Sequence, residues 1–233
     1  MSARQKDLLK NIEYPESDGK PMGETDKHRK LMNVLIETLE VYFAEEAEVY
    51  VSGNLMCYYV EGDPTKSISP DVFVVRGAAK HERRIYKFWE ENAPNLVIEV
   101  SSRKTKNEDL QWKRQLYAWL GVEEYFIFDP EYKLTPPLRA FRLRGKELVE
   151  EIVSQNRVVS QVLGLELVND GATMRLYNPQ TGGFLRTLAE EAAARKQAET
   201  GAEQEASARQ DAEDRAAKLA AKLRELGLDP EQL

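Results

Sequence analysis

The sequence predicts an α/β fold in which helices flank a mixed central sheet, with a helical tail at the C-terminal end. Three observations predict this fold. Segments with helical periodicity alternate with short strand-like runs, the central runs are apolar on both faces, and the 233-residue chain can bury one core. The central runs are VFVV at 72–75, LVIEV at 96–100 and EYFIF at 124–128.

The first elements follow from periodicity and turn residues. A helix is predicted from Asp26 to about Phe43, because apolar residues recur along one face after an acceptable N-cap residue. Two strands are predicted next, at 47–52 and 55–60. The Gly53-Asn54 pair between them is typical of a hairpin turn.

A second helix is predicted after the LVIEV strand. The sequence TKNE at 105–108 has the form of a capping box, in which a Thr and a Glu three residues later bond to the first backbone N–H groups. The helix that it opens carries Asp109, Lys113 and Tyr117 at four-residue spacing, so these side chains share one face. Gly121 is expected to end the helix.

The chain is predicted to divide into an arm at 1–25, a core at 26–184 and a tail at 185–233. The arm is polar and rich in Pro and Gly, which predicts irregular structure. Within the core, the alternating sequence at 138–153 predicts a further β-hairpin with Gly145 at its turn.

The tail is rich in Ala, Glu, Arg, Lys and Gln, which are strong helix formers. Its apolar seam consists mostly of alanine, so a single exposed helix and a coiled-coil dimer arm remain open as alternatives. We expect Gly201 to interrupt the helix, and Gly227 with Pro230 to end it.

Composition narrows the class of protein. The formal charge of −7 disfavours a generic nucleic-acid binder, but residues 76–114 carry 10 Lys and Arg against 6 Asp and Glu, a local excess of +4. The lone Cys57 cannot form an internal disulfide, and no export signal or long apolar run is evident. We therefore expect a soluble cytoplasmic protein without a membrane partner.

Two carboxylates lie within or beside apolar strands. Asp71 precedes VFVV, and Glu99 lies inside LVIEV, where an ionised group must be paired, hydrogen-bonded or bound to a metal. If both strands are neighbours, the two carboxylates can meet at one end of the sheet and bind Mg²⁺ or Mn²⁺. Lys113 is then the candidate cation that assists catalysis, and Tyr117 could contact a phosphate. The alternative is a metal-free ion pair between Glu99 and Lys113.

These residues form an ordered set that resembles a known family. Pro70-Asp71, Glu99 in its apolar strand, the Asp109, Lys113 and Tyr117 series, GVEEY at 121–125 and Asp129-Pro130 are similar to the Uma-two group of restriction endonucleases, within the PD-(D/E)xK nuclease superfamily. The resemblance extends from about Tyr14 to Leu165. It implies a restriction-endonuclease-like core and metal-dependent hydrolysis of DNA phosphodiesters, with Asp71, Glu99 and the Val100 carbonyl as metal ligands.

One position departs from the superfamily pattern. Two residues after the acidic residue, where the superfamily carries a lysine, this sequence has Ser101. The resemblance therefore implies that Lys113 supplies the missing charge from the helix, with Lys104 and Lys106 as substitutes.

Further residues are candidates for supporting roles. Ser101, Lys104, Tyr117 and Arg84 are candidate substrate contacts, although Ser101 is also a candidate for capping the following helix. His28 and Glu37 are possible accessory residues on the first helix. For these two residues, a first-turn polar role and an exposed surface role are the competing interpretations.

Three functions remain open from the sequence. The first is a DNA endonuclease with catalytic residues Asp71, Glu99 and Lys113. The second is a catalytically inactive nuclease-like domain that binds nucleic acid or a protein partner, which the serine at position 101 favours. The third is an inert assembly adaptor. A homodimer through the core or the C-terminal helix is possible in each case.

Overall fold

The computed structural model describes residues 12–17, 19, 25–102, 105–171 and 173–225. Lys104, a predicted substrate contact, lies outside the described residues, as do Gly227 and Pro230 at the predicted end of the tail. The chain divides into two compact units, Met1–Leu185 and Arg186–Leu233. Among the described helices, none has an apolar stretch of the length that a bilayer crossing requires.

The predicted α/β class is confirmed by the order of helices and strands. The helical elements are α1 (Asp26–Tyr42), α2 (Lys106–Glu108), a π-helical segment (Asp109–Lys113), α3 (Arg114–Leu120) and α4 (Leu188–Glu225). The strands are β1 (Val49–Ser52), β2 (Cys57–Tyr58), β3 (Ser67–Ile68), β4 (Val72–Arg76), β5 (Tyr86–Lys87), β6 (Leu96–Val100), β7 (Glu124–Phe128), β8 (Leu138–Arg144), β9 (Glu147–Glu151), β10 (Arg157–Ser160), β11 (Leu165–Asp170), β12 (Thr173–Asn178) and β13 (Gly183–Phe184).

A six-stranded mixed sheet in the order β1-β4-β6-β7-β8-β9 forms the centre of the first unit. β6 and β7 are parallel, and the other neighbouring pairs are antiparallel. Side chains on both faces of β4, β6 and β7 are buried, as the apolar runs predicted. Leu35 and Leu39 of α1 belong to the core cluster on one face, and Tyr117 of α3 belongs to the cluster on the other.

The hairpin predicted at Gly53-Asn54 is wrong. β1 pairs with β4 of the central sheet, whereas β2 pairs with β3 and β5 in a separate three-stranded sheet. The Asn54 N–H donates to the carbonyl of Pro70 at 2.8 Å, so this segment packs against the chain that leads into β4 instead of turning back on β1.

The second helical region begins as predicted but differs inside. Thr105 is the N-cap residue of α2, yet its hydroxyl makes no cap bond and instead accepts from the Ser102 N–H at 3.1 Å. The helix then widens into a π-helical segment, which nothing in the sequence analysis predicted. Gly121 ends α3 in the left-handed conformation with φ 84°, as predicted.

Two C-terminal predictions have opposite outcomes. The hairpin with Gly145 at its turn is confirmed, because β8 and β9 pair in antiparallel register. The interruption at Gly201 is wrong, because α4 runs through it without a break. One glycine costs about 1 kcal/mol in a helix interior, and the surrounding Ala, Glu and Arg residues offset that cost. A four-stranded sheet of β10 to β13 completes the first unit.

Gly53 is predicted to be intolerant of a side chain because it lies against the Asp71 backbone. A Cβ atom added at Gly53 would lie 2.0 Å from the Asp71 carbonyl oxygen and 2.6 Å from Cδ1 of Ile36. We expect Gly53→Ala to lower the free energy of unfolding by about 1–3 kcal/mol, as measured by urea denaturation. Gly183→Ala is the matched control, since nothing lies within 4 Å of its added Cβ. Equal stability of the two variants would contradict this packing.

Candidate active site

Asp71 and Glu99 are brought together by the pairing of β4 with β6. Val72 lies opposite Ile98 in this antiparallel pair, which places Asp71 opposite Glu99 just beyond the end of the ladder. Because side chains alternate along a strand, both carboxylates lie on the face that the second helical region covers. The charge of Asp71 contributes to the pKa shift of Glu99, which is consistent with this proximity.

The Asp71 carboxylate is held by two groups from different elements. Its Oδ1 lies 3.1 Å from Nε2 of His28 on the first turn of α1, and its Oδ2 accepts from the Val100 N–H at 2.7 Å. The Asp71 side chain is 15% exposed. α1 and β6 therefore fix the orientation of this carboxylate at the edge of the sheet.

Glu99 is fully enclosed and bound by two residues of the second helical region. Its side chain is 1% exposed, and its Oε2 lies 2.9 Å from Nζ of Lys113. Its Oε1 accepts from the Tyr117 hydroxyl at 2.6 Å. The helix thus places an ammonium group and a phenol on the carboxylate that the apolar strand carries.

Asp109 is a third buried carboxylate in this network, and the sequence analysis did not select it as a site residue. Its Oδ1 lies 3.0 Å from Nζ of Lys113, and its side chain is 1% exposed. Its Oδ2 has no hydrogen-bond partner among the described residues. The signal was present as four-residue spacing to Lys113, but that spacing is equally typical of a surface ion pair.

The carboxylates and the ammonium shift each other's pKa. Burial raises the pKa of Glu99 to about 8; Lys113 and the Tyr117 hydrogen bond oppose this shift, whereas Asp71 and Asp109 increase it. Burial lowers the pKa of Lys113, but the charges of Glu99, Asp109 and Asp71 outweigh burial and raise it overall. Lys113 therefore stays charged, and its single charge is shared among three carboxylates.

The donor set fits a divalent cation. Among the described residues, no group of three or more His, Cys, Asp and Glu side chains is arranged to hold one metal ion. The fit rests instead on charge and donor chemistry, because three carboxylates face the single ammonium of Lys113. Even a protonated His28 leaves an excess of one negative charge. Carboxylate oxygens are the ligands that Mg²⁺ and Mn²⁺ prefer, and an unpartnered carboxylate oxygen of Asp109 is buried beside them.

Comparison with known proteins identifies the family. A family model described as "Uma2: Putative restriction endonuclease" matches residues 7–174. The chain belongs to the Uma2 family. The resemblance that the sequence suggested is thereby confirmed, and with it the assignment to a family of nucleases.

One solved structure was also found to be similar. It is described as "a putative nuclease belonging to DUF820" from Anabaena variabilis ATCC 29413, with a TM-score of 0.47 and 16% sequence identity, and the match covers 68% of this chain and 89% of that one. No curated protein matches the chain.

The other predicted site residues of this Uma2 protein lie in varied surroundings. Ser101 is buried, and its Oγ has no hydrogen-bond partner among the described residues. Tyr117 is fully buried on Glu99, which places its hydroxyl inside the network rather than at the surface. Glu37 is exposed on α1. Arg84 pairs with Glu16, so it already has an anionic partner.

The basic segment at 76–114 is largely paired within this Uma2 chain. Arg83 binds Glu91 and stacks over the Tyr50 ring at 4.0 Å, and Lys87 binds Glu90 at 2.9 Å. Lys80 donates to the carbonyl of Ala44 at 3.0 Å. The sequence could not show this neutralisation for Arg84, because its partner lies far away in the chain.

The raised pKa of Glu99 predicts how stability depends on pH. With chelator present, a folded-state pKa of about 8 against 4.5 for the free side chain means that the folded protein binds the proton more tightly. This contribution to stability is complete below about pH 4.5 and is lost as the pH rises to about 8, at up to about 1.4 kcal/mol per pH unit. We expect Glu99→Gln to flatten this decline in the free energy of unfolding, measured by denaturation between pH 5 and 8.

Glu108→Gln is the control for that measurement, because Glu108 is exposed on α2. It should keep the slope of the unmodified protein. A Glu99→Gln slope that matches both would show that Glu99 does not take up a proton in the fold.

Proposed function

We propose that this protein is a Mg²⁺- or Mn²⁺-dependent endonuclease that hydrolyses phosphodiester bonds of DNA. The observation that carries the proposal is the position of Lys113, whose Nζ lies 2.9 Å from Glu99 although the lysine expected two residues after Glu99 is replaced by Ser101. Membership of the Uma2 family supports the reaction class, since the family is described as a restriction endonuclease family. Restriction endonucleases act on DNA, which supports the substrate.

Asp71 and Glu99 would hold the cation, with the Val100 carbonyl as a further oxygen ligand. When bound, a divalent cation neutralises charge on phosphate oxygens and lowers the pKa of a coordinated water. The His28 ring and the Val100 N–H keep the Asp71 carboxylate in one orientation. The Tyr117 hydroxyl does the same for Glu99. These contacts limit the reorganisation that the site undergoes when substrate arrives.

Lys113 would act on the charge that develops during hydrolysis. A water oxygen forms a bond to phosphorus, the bond from phosphorus to the leaving sugar oxygen breaks, and that oxygen gains a proton. An ammonium close to the reacting phosphate stabilises the additional negative charge of the transition state. Because Asp109 and Glu99 both hold Lys113, its ammonium group is fixed before substrate binds.

A catalytically inactive nuclease-like domain is the second candidate. The contact between Lys113 and Glu99 favours it, because this ion pair satisfies the buried carboxylate without any metal. Such a domain would bind nucleic acid or a protein partner and would leave DNA uncut.

A plasmid-nicking assay with and without Mn²⁺ tests the endonuclease proposal. We expect metal-dependent nicking that falls at least about 100-fold in Asp71→Ala and in Glu99→Gln, because each removes a cation ligand. Lys113→Met should lower the rate by about 100-fold or more, since one positioned electrostatic group contributes about that factor. Glu108→Gln should cut at the unmodified rate.

Two outcomes would contradict the proposal. Wild-type rates in both Asp71→Ala and Glu99→Gln would place catalysis elsewhere. Absence of metal-dependent nicking in the unmodified protein, together with retained DNA binding, would favour the inactive domain.

A further inference from the structure

A groove of about 680 Å³ lies between α3 and the β8–β9 hairpin. Arg114 and Trp119 of α3 line it, and Lys146 at the hairpin turn lines it together with Leu143 and Leu148. Its volume lies within the range of pockets that hold small organic ligands. None of the residues assigned to catalysis above lines this groove.

Trp119 is unusually accessible for a tryptophan. It is 67% exposed, compared with 44% for Trp112 on the same helical region. Its ring meets Tyr59 edge-on at 6.3 Å, so a second aromatic ring supports it from the side. A large exposed aromatic surface that borders a groove is more typical of a contact site than of a packing residue.

The cations of the groove lack the acidic partners that neighbouring arginines have. Arg139 pairs with Glu150, and both Arg142 and Arg144 pair with Glu151, so the hairpin neutralises most of its own charge. Among the described residues, Lys146 forms no ion pair with an acidic group. Arg114 likewise has no acidic partner there, and its guanidinium lies 5.4 Å from the centre of the Phe141 ring.

This combination fits a nucleobase with its phosphates. An exposed indole offers a surface for base stacking, and cations without acidic partners offer contacts to phosphate oxygens. Glu147 is the acidic residue that lines the groove, so the two cations exceed it by one charge, in a protein whose net charge is −7. A neutral apolar ligand would gain nothing from Arg114 and Lys146.

We propose that this groove binds an unstacked base of single-stranded DNA, with Trp119 stacking on the base and Arg114 and Lys146 contacting its phosphates. The substrate class rests on the proposed function, but binding here requires no hydrolysis. Arg114 directly follows Lys113, and Trp119 follows Tyr117 by two residues, so one helical region carries both the groove and the proposed catalytic lysine. The groove would hold a part of the strand that is not being cut.

The test is fluorescence anisotropy of a labelled 15-nucleotide oligothymidylate, titrated with the full chain in EDTA over a range of salt concentrations. We expect Trp119→Ala to weaken binding roughly tenfold, because base stacking on an aromatic ring contributes about that factor. Trp119→Phe should retain much of the affinity. Lys146→Ala should reduce the slope of log K against log salt by about 0.7, the value for one phosphate contact on a single strand.

Trp112→Ala is the matched control, since Trp112 is exposed on the same helical region but does not line the groove. It should change the affinity less than twofold. The proposal is overturned if the unmodified protein does not bind the oligonucleotide, if Trp119→Ala and Trp112→Ala behave alike, or if Lys146→Ala leaves the salt slope unchanged.

The result separates from that of the nicking assay. Binding that depends on Trp119 without any metal-dependent cleavage supports the groove and contradicts the endonuclease. Cleavage that depends on Glu99, with oligonucleotide binding indifferent to Trp119 and Lys146, supports the endonuclease and contradicts the groove.

Discussion

The arrangement of this molecule depends on one buried ammonium group. Lys113 lies between Glu99 on the central strand and Asp109 one π-helical turn earlier, at 2.9 Å and 3.0 Å from their oxygens. Removing one partner of a buried ion pair generally costs about 3–5 kcal/mol, because the other charge is left uncompensated. The second helical region is therefore tied to the sheet at the place where its carboxylates meet. The same contact prepares the chemistry, since one positive charge cannot balance three carboxylates.

The surrounding fold serves to orient the carboxylates. Asp71 is held from three sides: His28 on α1 and the Val100 N–H bind its oxygens, and Gly53 lies against its backbone. No single element would fix this carboxylate, since an edge residue beyond the end of a strand has lost its ladder partners. The π-helical segment has a comparable role, because it carries both Asp109 and Lys113. Such segments are often found at functional sites.

The sequence predicts those features that depend on local periodicity and on the cost of burying charge. The buried strands, α1, the stop at Gly121 and the pair of Asp71 with Glu99 follow from these signals, and so does the candidate lysine. Features that depend on distant partners do not follow. The Gly53-Asn54 pair has the local form of a hairpin turn, yet its neighbours in space are Pro70 and Asp71. Asp109 reads as a surface helix residue until the sheet that buries it is known. The neutralisation of Arg84 by Glu16 joins residues 68 positions apart.

Calorimetric titration with Mn²⁺ tests most directly the claim that this network is a cation site. The account predicts saturable binding by the chelator-treated protein, retained in Glu108→Gln and weakened at least tenfold in Glu99→Gln, where an amide replaces the charged ligand. Equal affinity of the unmodified protein and Glu99→Gln, or no binding by the unmodified protein, would contradict it. In that case Lys113 would be the permanent counter-ion of a structural carboxylate.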